Sequence, residues 1–129
     1  MNEKCISYSA NGLTAKFDKE TTVYVGMNLD DGFNRYMFKY TSSNPLKVSI
    51  TYIYNEGKYK ETLFLEATET EKTFKSFIDS FLTEGKAYGI EEFTFINLCD
   101  SECTVNISDI NTELVPVLSK SMAYIENDY

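Results

Sequence analysis

The sequence predicts an all-β domain, an antiparallel β-sandwich of the jelly-roll type. Most apolar segments are short and rich in Val, Ile, Thr, Tyr and Phe, and Gly, Asn, Asp or Ser separate them. The longest alternates with a period of two, and the sequential βαβ units of a parallel sheet are missing. An immunoglobulin-like sandwich is the alternative. It is disfavoured because the chain has no Trp and no Cys pair at the wide spacing that such domains use.

Taken in order, strands are expected over residues 4–8, 13–17, 22–26 and 35–41. Val48, Ile50, Tyr52 and Tyr54 alternate with Ser49, Thr51, Ile53 and Asn55, the clearest strand signal in the chain. Tyr59 to Glu66 follows after Glu56-Gly57-Lys58. A glycine there supplies the positive φ of a short hairpin loop, so the two runs read as a β-hairpin. Residues 92–98, 104–110 and 122–126 complete a set of eight or nine strands. One segment departs from the pattern: Phe74, Phe77, Ile78, Phe81 and Leu82 recur at helical spacing, with Glu71 and Lys72 leading in and Gly85 closing. A short helix is therefore expected near residues 72–83.

The 129 residues suffice to bury one core without disulfide or metal support. No repeat, low-complexity tract or Pro/Gly/Ser-rich linker divides them, so residues 1–129 read as a single domain. The last residues, Met122 to Tyr129, have the texture of an opening strand. They suggest an amino-terminal module of a longer protein, partnered by a neighbouring domain.

Composition narrows the function. Twelve basic against twenty acidic residues give a net charge of −8, which repels phosphate backbones and anionic membranes, so neither nucleic acid nor a membrane is an expected partner. With no histidine anywhere, triads that use imidazole as their base cannot be built. Glu66, Asp79, Glu91 and Glu92 are formal candidates for a glycosidase carboxylate pair, yet each reads equally well as solvated surface. The six glycines never fall in a phosphate-binding spacing. The chain is therefore expected to be no enzyme and to need no cofactor.

Metal chemistry is sparse too. Cys99 and Cys103 flank Asp100 and Glu102, but with Cys5 they are the only cysteines and cannot supply the four ligands of a structural zinc. Asp30 and Asp31 are hard oxygen donors that suit a structural calcium, with Asp100, Glu102 and Asp109 as a weaker option. Asn106-Ile-Ser108 fits the N-glycosylation pattern.

Ten Tyr and nine Phe make 15% of the chain aromatic. A ring can stack on the apolar face of a pyranose while a phenol bonds its polar edge. Over residues 35–41 one strand face carries Tyr36, Phe38 and Tyr40 and the other Arg35, Met37 and Lys39. Only one face can point into a core. The segment Asn28 to Arg35 concentrates hydrogen-bonding groups between two expected strands. Candidate ligand contacts are thus Asn28, Asp30, Asp31, Asn34, Arg35, Tyr36, Tyr59 and Tyr88.

Four stretches, Arg35-Tyr-Met-Phe-Lys-Tyr-Thr-Ser-Ser, Val48-Ser-Ile-Thr-Tyr, Glu61-Thr-Leu-Phe-Leu-Glu66 and Phe74-Lys-Ser-Phe-Ile-Asp79, carry a resemblance. Across roughly residues 20 to 115 the chain resembles bacterial galactose-binding-like domains and carbohydrate-binding modules, the jelly rolls attached to glycan-active proteins. That resemblance implies a non-catalytic module that binds carbohydrate, outside the cell or on its surface. The alternative is a structural or protein-interaction domain with no free ligand.

Overall fold

The computed structural model describes residues 5–9, 12–54, 57–78 and 87–115. Among them all regular structure is extended: β1 (Cys5–Ser7), β2 (Leu13–Phe17), β3 (Glu20–Phe33), β4 (Arg35–Ser42), β5 (Leu46–Tyr54), β6 (Gly57–Leu65), β7 (Thr68–Phe77), β8 (Ala87–Asn97) and β9 (Cys103–Glu113). A five-stranded sheet in the order β1-β3-β8-β5-β6 faces a four-stranded sheet in the order β2-β9-β4-β7. Among the described residues every pairing is antiparallel except the three-residue parallel contact of β1 with β3. Among the described strands only the β5–β6 hairpin links neighbours within one sheet; the other successive strands alternate between the sheets. This is a jelly-roll sandwich.

Alternation decides which side chains enter the core. Tyr36, Phe38 and Tyr40 point inward from β4, while Arg35, Met37 and Lys39 between them are half-buried on the outer side. Leu46, Val48, Ile50 and Tyr52 do the same from β5. The sheets meet through rings: Phe38 stands edge-on to Phe93 at 5.4 Å between centroids, and Tyr36 meets Tyr52 at 6.0 Å. Burial of these side chains supplies the main favourable term for folding.

The expected hairpin is present, closing Tyr54 against Gly57, whose φ of 141° is one that glycine adopts readily. The expected helix is not. Residues 72–77 belong to β7, paired with β4 from Ser42↔Thr68 to Arg35↔Phe77; residues 79–83 lie outside the described residues. Phe74 and Ile78 are four apart, a spacing that fits one face of a helix and, being even, also one face of a strand. The second reading is realised, with Phe74, Ser76 and Ile78 turned inward and Thr73, Lys75 and Phe77 outward. The expected strand over residues 122–126 also lies outside the described residues.

Two asparagine brackets hold the ends of the sandwich. At one end Asn97 donates to the carbonyls of Asp18 (2.8 Å) and Ser101 (2.7 Å) and accepts from Asn44 (3.0 Å) and from the Cys99 amide (3.0 Å). At the other, the Asn34 side chain donates to the Val115 carbonyl (2.9 Å) and accepts from the Val115 amide (2.8 Å). Its backbone joins Glu113 and Ile78 as well. Such bonds answer backbone groups that the strand ladders leave unpaired.

Candidate functional site

The outer face of the five-stranded sheet is built by the residues that alternate with the core positions. Cross-strand register sets Thr22, Thr94, Ser49 and Thr62 in one row and Tyr24, Glu92, Thr51 and Lys60 in the next. Neighbouring strands are about 4.8 Å apart, so each row spans roughly 14 Å from β3 to β6. The Oγ1 atoms of Thr22 and Thr94 lie 3.2 Å apart. Thr22 and Thr51 are buried, whereas Tyr24, Lys60 and Thr62 are exposed and Ser49, Glu92 and Thr94 half-buried.

Tyr24 projects from this face with 47% of its surface exposed, and Phe64, one step beyond Thr62 on β6, projects from it too. Tyr24 sits where the register with β8 shifts between Tyr24 and Met27, an irregularity that bends the strand locally. Close by, Lys58 forms an ion pair with Glu91 at 2.8 Å. Hydrogen bonding and charge from Glu91, helped by Glu92 and Tyr24, push the Lys58 ammonium above its ordinary range. Aromatic ring, hydroxyls, carboxylates and ammonium therefore converge on one surface. In the sequence Tyr24 reads only as a strand residue; the apolar Val23 and Val25 on either side are the signal that it points outward.

The residues singled out from sequence are scattered. Asn28, Asp30 and Asp31 do not form a loop: β3 continues to Phe33, with an irregular register after Asn28, because Gly26 and Gly32 absorb positive φ within the strand. All three are exposed, and Asn28 adjoins Gly89 on the Tyr24 side. Asn34 is buried as the bracket that holds Val115, so its amide is spent internally. Tyr36 is 0% exposed in the core, with its hydroxyl donating to Glu61 at 3.3 Å, and offers no ring face to a ligand. Arg35 opens β4 on the outer face of the other sheet, paired with Glu113 and lying 5.7 Å over the Phe77 ring. Tyr59 is exposed on β6 and stacks on Tyr52 at 6.3 Å. Tyr88 is half-buried on β8.

Other groups fall as follows. Glu66 pairs with Lys72, and Asp79 lies outside the described residues. Asp100 and Glu102 occupy the β8–β9 turn while Asp109 lies within β9, roughly 20 Å along the strand at about 3.3 Å per residue. Among the described residues no group of three or more His, Cys, Asp or Glu could hold a metal ion. Cys99 and Cys103 are both free thiols, the first exposed and the second buried against Ser42. Asn106 is exposed, its amide donating to Thr41 at 2.8 Å and accepting from Thr14.

A concavity of about 610 Å³ opens at the edge where β6 turns into β7. Phe64, Leu98, Pro45 and Phe74 line it beside the Lys72–Glu66 pair. Phe64 is 66% exposed and Leu98 50%.

Neither a protein-family model nor a curated protein matches the sequence. Solved structures do. A family 29 carbohydrate-binding module is 8% identical over 82% of this chain and 78% of its own, with a TM-score of 0.52. The family 30 carbohydrate-binding module of the cellulosomal cellulase Cel9D-Cel44B of Clostridium thermocellum is 11% identical over 77% of this chain and 72% of its own, with a TM-score of 0.51. The chain has the β-sandwich fold of these carbohydrate-binding modules.

Proposed function

We propose that the chain is a non-catalytic carbohydrate-binding module that holds a neutral glycan on the outer face of its five-stranded sheet. The observation that carries this reading is Tyr24, an exposed ring next to Glu92 on the face that also carries Thr94, Ser49, Thr62 and Lys60. A ring stacks on a pyranose, and flanking hydroxyls and charged groups bond its equatorial oxygens. Glu91 and Glu92 together with the net charge of −8 disfavour an anionic glycan. The fold shared with carbohydrate-binding modules supports the same reading, as does the resemblance seen in the sequence. In this proposal the module serves a larger glycan-active protein. Asn28 borders the site and is its one contact anticipated from sequence.

The test is a glycan-array screen followed by calorimetry, each with and without a calcium chelator. The expected outcome is binding to one neutral glycan class, insensitive to the chelator, that weakens tenfold or more in Tyr24→Ala while the melting temperature holds. Silence across the array from a folded sample overturns the reading. The alternative, a protein-interaction domain, is favoured by the groove at Phe64 and Leu98. Under that reading Phe64→Ala weakens association with an adjoining domain and Tyr24→Ala does not.

A further inference from the structure

Gly26 lies two residues beyond Tyr24 on β3. In a strand, residues two apart share a face, so Tyr24 and Gly26 both project outward from β3. Gly26 has a φ of 61°, in the left-handed region that glycine enters without cost. A Cβ built there would lie 2.7 Å from Tyr24 Cε2, 2.9 Å from Cζ and 3.0 Å from the hydroxyl oxygen. No real Cβ sits that close. The hydroxyl end of the ring thus rests on the glycine, and the ring runs along the strand with its other face to solvent.

We infer that Gly26 is a positioning residue: the bare backbone at this point is the cradle that lays Tyr24 flat as a stacking platform. With any side chain at 26 the ring would have to lift, and a raised ring presents an edge where a pyranose needs a face. This inference rests on the carbohydrate-binding reading for its consequence and on geometry alone for its cause.

Those two parts can be tested separately. In the wild-type protein, NMR should show an upfield shift of the Gly26 Hα protons from the Tyr24 ring current, lost in Tyr24→Phe only in part and in Tyr24→Ala completely. Contacts between Gly26 Hα and Tyr24 Hε should accompany it. Gly26→Ala adds a Cβ and backbone strain; Gly26→Asn adds a Cβ at a residue that tolerates positive φ better. Both variants should displace the Tyr24 resonances and lose roughly tenfold in glycan affinity, with Asn the more stable of the two. In a Tyr24→Ala background the same substitutions should cost no further affinity. Absence of the ring-current shift, or wild-type affinity in either Gly26 variant, overturns the inference. A wild-type protein that shows the shift and binds no glycan overturns the proposed function and leaves the cradle standing.

Discussion

The outer faces of the two sheets follow the same alternation rule and end in opposite conditions. On the four-stranded sheet, polar groups answer one another across strands: Arg35 with Glu113, Lys39 with Asp109 at 3.3 Å, and Thr14 and Thr41 with Asn106. Even the Phe77 ring is covered by the Arg35 guanidinium. On the five-stranded sheet a tyrosine ring lies flat, threonines and a serine form rows, and the Lys58–Glu91 pair stands at one end. Cross-strand pairing is the ordinary way a sheet stabilises its wet face. Where it is consumed within the sheet, little remains for a ligand; the five-stranded face keeps the Thr22–Thr94 and Lys58–Glu91 pairs but also leaves the Tyr24 ring open to solvent.

The harshest way to break this contrast is to remove what both faces hang on. Phe38 touches the rings of Tyr40, Phe74 and Phe93; Phe38→Ala should cost about 3–5 kcal/mol in denaturant unfolding and so weaken both faces together. Next comes the bracket beneath the four-stranded sheet. Asn34→Ala leaves both polar groups of Val115 without their partner and should cost about 1–3 kcal/mol, with faster hydrogen exchange at Val115 and unchanged glycan affinity. A third test sets the faces against each other directly. Phe77→Ala on the four-stranded sheet should leave affinity within twofold and stability within roughly 0.5 kcal/mol, unlike the loss set by Tyr24. The smallest effect belongs to the Arg35–Glu113 pair. Both side chains are partly exposed, so a double-mutant cycle should give a coupling below about 1 kcal/mol, shrinking further in salt.

Much of the fold could be read from the chain because period-two alternation leaves little choice. Tyr36, Phe38 and Tyr40 against Arg35, Met37 and Lys39 fixed a two-faced strand, and Gly57 marked its neighbouring hairpin. The error at residues 72–77 has a definite cause, since residues four apart share a face in helix and strand alike. The candidate site was harder. Asn34 and Tyr36 carry groups that suit a sugar, but nothing local tells that the first is turned toward Val115 and the second toward the core. Tyr24 has no local mark of a site, because its setting is made by β8, β5 and β6, far away in sequence. The register that assembles Thr94, Ser49 and Thr62 beside it is a property of the sheets, not of any segment.

Strand order also has a consequence for how the chain comes into being. β8 lies between β3 and β5, and β9 lies between β2 and β4. The last two described strands are therefore the interior ribs of both sheets. As the chain leaves the ribosome, β2 and β3 must wait, unpaired on that side, for partners encoded near residues 87–113. Folding dominated by such distant pairings is slow, and the exposed edges of β3 and β4 are open to wrong partners while they wait. A nascent chain halted before β8 should accordingly be trimmed readily by proteases across β2 and β3, whose main partners are missing, and more slowly across the β5–β6 hairpin and the β4–β7 pair, which need neither β8 nor β9.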